Sequence, residues 1–274
     1  PLESSSTFLS HQSVMLNLGG GVVTDMGAFV ASCYMRGIAY YNIPTTLLAM
    51  VDAAVGGKNG VDLGALKNLV GTIDENCTTL ILPELLETLP EDEFKSGFAE
   101  CLKHALIAND KLWQNICGFE AINLETVSPF LKEMILVKSD VVKVDPREKS
   151  LRKTLNYGHT FGHAIESTFL ENGNLIKHGY AVAVGMVLEN ILAVEMGLLS
   201  PSDSEVINNV IKKFYILPDY KSLDVSAVID KLKYDKKNEN GELRLSLLSA
   251  IGKCEYNIVL DIEKAERFLI EMWK

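Results

Sequence analysis

The sequence predicts a protein of two domains, an N-terminal α/β domain and a mainly α-helical C-terminal domain, on three observations. The first third of the chain alternates strand and helix patterns around glycine-rich turns, as parallel α/β sheets do. From about Pro90 onward, apolar residues recur with the 3.6-residue period of helices. The chain has 274 residues, of which 47% are hydrophobic, and this is enough for two domains. We therefore predict domains at residues 1–89 and 90–274.

In the first domain, short apolar runs predict strands, and the segments between them predict helices and turns. The predicted strands are VMLNL (14–18), IAYYNI (38–43) and TTLILP (78–83). The predicted helices are 26–35, capped by Thr24 or Asp25, and TLLAMVDAAV (46–55). Four glycines between residues 56 and 64 predict a loop.

The second domain shows helical periodicity in six segments and a strand pattern in one. The predicted helices are EDEFKSGFAECLKHALI (91–107), PFLKEMILVKSDVV (129–142), GYAVAVGMVLENILAVEMG (179–197), SDSEVINNVIKKFY (202–215), VSAVIDKLKY (225–234) and IEKAERFLIEMW (262–273). The predicted strand is LRLSLLSAIG (243–252).

The composition excludes several classes of function. A formal net charge of −10 predicts that the chain binds neither nucleic acid nor anionic membranes, and an anionic substrate would need a local basic cluster. No apolar run is long enough for a membrane span and the first residues do not resemble a secretion signal, so we expect a cytoplasmic protein. Five scattered cysteines without a CxxC pair predict reduced, structural thiols.

Two glycine-rich segments are candidate anion sites. GGGVVTD (19–25) follows a strand and opens a helix, so its backbone N–H groups could approach a phosphate or ribose; a tight strand-to-helix turn is the alternative. GGKNGVDLGALKN (56–68) carries Lys58 and Lys67, which suit a phosphate or carboxylate unless they are simply solvated. Arg36, at the end of the first predicted helix, could join them.

Histidines and one carboxylate form a candidate metal set. His159 and His163 lie four residues apart, and two histidines at this spacing on a helix can bind one zinc ion. His178 could supply a third nitrogen, and Glu100 an oxygen. Packing in the core is the alternative for the histidines. Glu100 and Lys103, three apart on a helix, are either a surface ion pair or, given their apolar neighbours, a buried functional pair.

Taken together, these segments resemble the 3-dehydroquinate synthase family over essentially the whole chain. The motifs that carry the resemblance are GGGVVTDMGAF, YMRG, IPTTLLAMVDAAVGGKNGVDLGALKN, LETLP, SGFAECLKH, RKTLNYGHTFGHAIE, the His-Gly of IKHGY, and DKKNENGELRLSLLSAIG. Their order and spacing make a chance match untenable.

The resemblance implies a dehydroquinate synthase-like fold, with a Rossmann-like NAD-binding domain and a helical domain that binds one divalent metal, Zn²⁺ or alternatively Co²⁺. The implied metal ligands are Glu100, His159 and His178, and His163 becomes a catalytic residue instead of a ligand. The implied NAD-site residues are Gly20, Gly21, Val22, Val23, Thr24, Asp25, Thr45, Thr46, Asp52, Lys58, Lys67, Leu85 and Thr88. The implied catalytic and substrate-pocket residues are His163, Arg36, Lys58, Asn68, Lys103, Lys138, Arg152, Asn156 and one lysine of Asp235-Lys236-Lys237.

The implied activity is that of a carbon–oxygen lyase of the shikimate pathway, which leads to chorismate and the aromatic amino acids. The substrate of the family is a small anionic sugar phosphate, 3-deoxy-D-arabino-heptulosonate 7-phosphate. NAD oxidises it transiently, phosphate leaves, and the hydride returns before an aldol closes the ring of 3-dehydroquinate. A homodimer is usual in the family.

Three departures and three alternatives accompany the resemblance. Family members normally carry a further N-terminal segment, so part of the NAD-binding domain is expected to be absent; Asn59 replaces a usual Thr, and Tyr180 a usual Glu beside the metal. The alternatives are another sugar-phosphate cyclase, such as a 2-deoxy-scyllo-inosose or valiolone synthase, a catalytically inactive relative, and a metal-dependent alcohol dehydrogenase. Asn156 and His163 match the dehydroquinate synthase pattern, which favours that activity.

Overall fold

The structure is a computed structural model that describes residues 10, 12–63, 66–74, 77–233 and 242–274, and the backbone alone at 62–63 and 66–69. The chain divides into two compact units, Pro1–Leu89 and Pro90–Lys274.

The first unit contains a small parallel sheet, one long helix and a hairpin. Its elements are β1 (Val14–Gly19), α1 (Gly21–Cys33), β2 (Ala39–Pro44), β3 (Lys58–Leu63), β4 (Leu66–Ile73) and β5 (Thr78–Thr79), with a π-helical turn at Ala49–Ala53 and a 3-10 turn at Pro83–Leu86. The sheet has the strand order β1-β2-β5 and all its pairs are parallel. α1 packs on it through Ala28 and Ala31, which meet Tyr40 in a small core.

Several local predictions for this unit are wrong. α1 begins at Gly21 and not at residue 26, because Gly20 takes the N-cap position; the Thr24 hydroxyl donates to the Gly21 carbonyl and so caps nothing. Within the predicted loop at 56–64, Lys58–Leu63 instead form β3, the first strand of the antiparallel hairpin β3–β4. A Cβ on Gly60 would lie 2.7 Å from the Val70 carbonyl oxygen, so this glycine permits close strand pairing. The third predicted strand is only two residues long.

The second unit is mainly helical with one hairpin. Its elements are α2 (Glu91–Ala108), α3 (Asp110–Cys117), α4 (Leu124–Val127), α5 (Leu131–Val144), a 3-10 turn at Leu151–Asn156, α6 (His159–Glu171), α7 (His178–Glu195), α8 (Pro201–Phe214), α9 (Val225–Lys233), β6 (Glu242–Ala250), β7 (Lys253–Asp261) and α10 (Ile262–Met272).

The core of this unit surrounds α2 and α7, which are buried along most of their lengths. α6 and α7 approach closely because glycines line their contact. A Cβ on Gly185 of α7 would lie 1.9 Å from the Gly158 carbonyl oxygen, and a Cβ on Gly162 of α6 would lie 3.1 Å from the Ala181 carbonyl oxygen. Small residues therefore set the distance between the two helices that carry the histidines.

The sequence analysis missed β7, which pairs antiparallel with the predicted β6. Along β7 most side chains are half-buried rather than alternately buried and exposed, so the period of two is weak. The turn between the strands uses Gly252 at φ +78°. All five cysteines are free thiols. Among the described helices, none has the length and apolar character that a membrane crossing requires.

Candidate functional site

Two helix N-termini and the middle of a third helix bring the candidate metal set together in the second unit. His159 is the first residue of α6 and His178 is the first residue of α7. Gly158 precedes α6 in a left-handed conformation, φ +79°, which favours glycine and turns the chain sharply into the helix. Glu100 lies in the centre of α2 and is fully buried.

Both histidines point one ring nitrogen at the same carboxylate oxygen. The distance from Nε2 of His159 to Oε1 of Glu100 is 3.3 Å, and the distance from Nε2 of His178 to the same oxygen is also 3.3 Å. The ring of His163 lies 5.1 Å from that of His159 and 5.7 Å from that of His178, measured between centroids. Ligand atoms of the three histidines all lie within 4.8 Å of one another.

The other ring nitrogens are engaged by groups behind the site. Nδ1 of His159 lies 3.0 Å from the backbone carbonyl oxygen of Tyr157, and Nδ1 of His178 lies 3.5 Å from Oε2 of Glu166. A proton on Nδ1 leaves the lone pair on Nε2, which is the tautomer that a metal ligand needs. The surroundings therefore orient both Nε2 atoms toward Glu100.

Lys103 completes the buried cluster, one turn after Glu100 on α2. Its ammonium forms an ion pair with Oε2 of Glu100, and both side chains are almost fully buried. Of the two alternatives for Glu100 and Lys103, a surface ion pair or a buried pair, the structure shows the buried pair. Burial by itself raises the pKa of Glu100, but the charge of Lys103, together with the neighbouring His159 and His178 rings, outweighs burial and holds that pKa well below 4.5. Glu100 is thus a carboxylate at neutral pH.

The two histidines differ in their electrostatics. Burial and the charge of Lys103 lower the pKa of His159, so its ring is neutral at pH 7. Burial also disfavours the charged ring of His178, but the carboxylates of Glu100 and Glu166 outweigh burial and raise its pKa to about 9.

This donor set fits a divalent metal. One carboxylate oxygen and two imidazole nitrogens converge, and such a three-ligand set is typical of a catalytic zinc site that keeps a position open for water or substrate. His163 is exposed, so its ring is accessible as a further ligand or as a proton-transfer group. The residues present can therefore hold the ion that the resemblance implies.

The predicted substrate residues of this unit lie around the same helices. Lys138 is buried on α5. Arg152 and Asn156 lie on the 3-10 turn before α6, where Nη1 of Arg152 donates to the Pro146 carbonyl at 2.7 Å and Nδ2 of Asn156 donates to Oε1 of Glu148 at 2.7 Å. The Asp235-Lys236-Lys237 segment, which contains one predicted substrate-pocket lysine, lies outside the described residues.

In the first unit, the predicted dinucleotide residues gather at the carboxyl ends of β1 and β2. Gly20 and Gly21 follow β1, and Thr45 and Thr46 follow β2. The Thr45 N–H donates to the Gly19 carbonyl at 2.9 Å, so the two strand ends are held together. Ligands bind at this edge of open α/β sheets, where helix N–H groups face the ligand.

Other predicted residues of the first unit are more spread out. Thr46 accepts the Ala49 N–H at 3.2 Å, so its hydroxyl also caps the turn that carries Asp52. The remaining predicted positions lie elsewhere in this unit. Those along α1 are Val22, Val23, Thr24 and Asp25, and Arg36 lies shortly after that helix. Lys58 begins β3, Leu85 lies in the 3-10 turn at Pro83–Leu86, and Thr88 follows that turn. The side chains of Lys67 and Asn68 lie outside the described ones.

Sequence reasoning missed three residues that support the histidines: Tyr157, Glu166 and Glu189. Glu189 is fully buried on α7, and it accepts backbone N–H groups of the α6 N-terminus. The available signal is a glutamate inside the apolar run GMVLENILAV, since a buried carboxylate requires hydrogen-bond partners.

The sequence of this chain is similar to known proteins over most of its length. A family model described as 3-dehydroquinate synthase N-terminal matches residues 3–96, and one described as 3-dehydroquinate synthase C-terminal matches residues 97–238. A curated 3-dehydroquinate synthase from Crocosphaera subtropica is 40% identical over 272 residues, which cover 96% of this chain and 74% of that protein.

Two solved structures are similar in fold and sequence. One is 2-deoxy-scyllo-inosose synthase complexed with carbaglucose-6-phosphate, NAD⁺ and Co²⁺, with a TM-score of 0.84, 28% identity and coverage of 96% of this chain and 74% of that one. The other is 2-epi-5-epi-valiolone synthase from Streptomyces hygroscopicus with NAD⁺ and Zn²⁺ bound, with a TM-score of 0.80, 30% identity and coverage of 94% and 73%. The predicted fold class is confirmed by these likenesses.

Proposed function

This chain belongs to the 3-dehydroquinate synthase family, and we propose that it catalyses the reaction of that name. It would convert 3-deoxy-D-arabino-heptulosonate 7-phosphate to 3-dehydroquinate and inorganic phosphate in the shikimate pathway. The observation that carries this proposal is the convergence of a buried carboxylate and three imidazoles beside a buried lysine.

We propose Glu100, His159 and His178 as the residues that hold a divalent metal, with Zn²⁺ as the natural ion. Support comes from the shared orientation of the two Nε2 atoms toward Glu100 and from the metal-bound cyclase structures. A metal bound there would act as a Lewis acid toward the substrate hydroxyls. The anionic state of Glu100 and the neutral state of His159 at pH 7 suit this role.

We propose that the first unit binds NAD at the carboxyl ends of β1 and β2. The glycines after β1 and the threonines after β2 support this, as do the two NAD⁺-bound neighbours. NAD bound there would accept a hydride from the substrate and later return it.

The other proposed site residues of the second unit would bind the substrate and transfer protons. Lys138 and Arg152 are buried cations, and cations fixed in advance hold a carboxylate or phosphate without reorganisation during the reaction. His163 is exposed beside the other two rings, so we assign it proton transfer at the substrate. Asn156, which already donates to Glu148, would contact the same substrate.

The other cyclase activities are less well supported. Identity to the curated dehydroquinate synthase is 40%, against 28% and 30% for the inosose and valiolone synthases. From the family resemblance alone, we also propose that the chain acts as a homodimer, which light scattering of the purified protein would test.

The test is phosphate release from 3-deoxy-D-arabino-heptulosonate 7-phosphate, with metal and NAD each supplied or omitted. We expect release only when both are present, without accumulation of NADH. Lys138→Ala should lower kcat/KM by about 100-fold, which is typical for loss of one fixed electrostatic contact. Lys132→Ala removes an exposed lysine from the same helix and should leave the rate unchanged.

Two outcomes would contradict the proposal. NADH formed in proportion to turnover would indicate a dehydrogenase with net oxidation. Absence of phosphate release, in a protein that binds both metal and NAD, would indicate a catalytically inactive relative.

A further inference from the structure

The N-terminus of α6 lacks a capping side chain of its own. Its N-cap residue is Gly158, and the first backbone N–H groups of a helix need acceptors from elsewhere. Glu189 supplies them from α7: Oε2 accepts the Gly158 N–H at 2.6 Å and Oε1 accepts the Thr160 N–H at 3.1 Å. One fully buried carboxylate thus holds the residues on both sides of His159.

The neighbouring residue of α7 reinforces the same turn. Oδ1 of Asn190 accepts the Tyr157 hydroxyl at 2.7 Å, and the Tyr157 carbonyl in turn receives Nδ1 of His159 at 3.0 Å. The orientation of the His159 ring therefore depends on a turn that two consecutive α7 side chains hold. His178 is the first residue of α7, so the helix that holds this turn also carries the second histidine.

The charge of Glu189 also suits a cation site. A helix N-terminus carries a partial positive charge, which is unfavourable beside a metal ion. Because His159 is the first residue of α6 and His178 the first residue of α7, two such ends converge on the candidate metal centre. The Glu189 carboxylate, which accepts the first N–H groups of α6, offsets the positive charge at the α6 end.

We propose that Glu189 is a positioning residue of the metal centre, holding the Gly158 turn so that Nε2 of His159 faces Glu100. This inference rests on the proposed metal site. Both oxygens of Glu189 accept backbone N–H groups of the α6 N-terminus, so its effect on a bound metal would be exerted through His159.

The test uses Co²⁺ as the probe on the full chain. Affinity is measured by competition with a chelator, ligand geometry by the visible absorption of bound Co²⁺, and the cap by hydrogen exchange of peptides that contain residues 157–161. The variants are Glu189→Ala and Glu189→Gln. Ile211→Ala, a buried truncation on α8, controls for a general loss of stability.

We expect Glu189→Ala to lose about 10- to 100-fold in Co²⁺ affinity, as is typical when a residue supporting a metal ligand is removed. Its absorption spectrum should change and its residues 157–161 should exchange faster. Glu189→Gln keeps one acceptor oxygen and should fall between Ala and the wild type. Ile211→Ala should keep the wild-type affinity and spectrum despite a lower melting temperature.

Wild-type affinity and spectrum in Glu189→Ala would overturn the inference, and so would an equal loss in Ile211→Ala. If Glu189→Ala does not fold, the same criterion applies to Glu189→Gln. Failure of the wild-type chain itself to bind Co²⁺ would overturn the proposed metal site together with this inference, whereas binding that ignores Glu189 would overturn the inference alone.

Discussion

Gly185 offers the sharpest test of how the helices position the histidines. In an ordinary helix, Gly→Ala stabilises by about 1 kcal/mol, because alanine restricts the unfolded chain and favours the helix. Here the added Cβ would lie 1.9 Å from the Gly158 carbonyl oxygen, whereas an ordinary contact begins at 3.4 Å. The atom in the way is backbone, so a rotamer change cannot relieve the clash.

The cost follows from the movement that is required. α6 and α7 must separate by about 1.5 Å, and overpacking of this kind typically costs 1–3 kcal/mol or more. A 1.9 Å contact with backbone belongs at the upper end of this range, about 3 kcal/mol, and the helix-propensity gain offsets about 1 kcal/mol of it. We therefore expect Gly185→Ala to lower the free energy of unfolding by roughly 2 kcal/mol. The same movement displaces His159 from His178, so Co²⁺ affinity should fall with it.

Urea unfolding of the metal-free protein and Co²⁺ titration measure the two effects. Gly197→Ala is the matched control: this glycine ends α7 at φ +70° with nothing within 4 Å of a Cβ. It should cost about 1 kcal/mol of backbone strain and leave Co²⁺ affinity unchanged. A Gly185→Ala protein that is as stable as the wild type and binds Co²⁺ equally well would refute the reasoning.

Three further predictions concern charge. Glu100→Gln leaves the buried Lys103 ammonium without its carboxylate, so metal-free stability in urea should fall by about 3–5 kcal/mol and Co²⁺ binding should be lost; unchanged stability would contradict the buried pair. Asp145 accepts the N–H groups of Lys149, Ser150 and Arg152; burial raises its pKa, but these bonds outweigh burial and lower that pKa below 3.8. This contribution is therefore present above the unfolded value of 3.8 and is lost as the pH falls through the folded pKa, so the stability gap between the wild type and Asp145→Asn should stay constant down to about pH 5 and shrink below about pH 4. In the metal-free protein, the pKa of about 9 at His178 means that Co²⁺ must displace a proton, so affinity should rise about tenfold per pH unit below that value, and a flat profile would count against it.

The elements that were predicted well from the sequence are those that the pattern of residues within the element itself marks. α2 was expected at 91–107 and spans Glu91–Ala108, and β1 was expected at 14–18 and spans Val14–Gly19. The hairpin β3–β4 is not predicted, because glycines at this density are typical of a loop. In the structure they allow backbone contact, as at Gly60, and only the partner strand reveals that role.

The candidate site likewise contains residues that the sequence singles out and residues whose role only the structure shows. Glu100, His159, His163 and His178 could be singled out because their residue types and spacing suggest metal chemistry, and the structure brings them together. Glu189 can be recognised as a carboxylate inside an apolar run, but its partner cannot, because Gly158 lies 31 residues away along the chain. Such support depends on helix packing, which no local pattern encodes.

The same packing gives a reason for the several carboxylates around the proposed metal centre. Two helices present their first residues, His159 and His178, and so place two positive helix ends beside the proposed cation site. Glu100 lies between the rings, Glu166 lies behind His178, and Glu189 bonds to the N-terminus of α6. Removing the carboxylates one at a time should therefore weaken metal binding in order of their distance from the Nε2 atoms, with Glu100 first. Equal effects from all three would mean that net charge, and not the orientation of each ring, governs affinity.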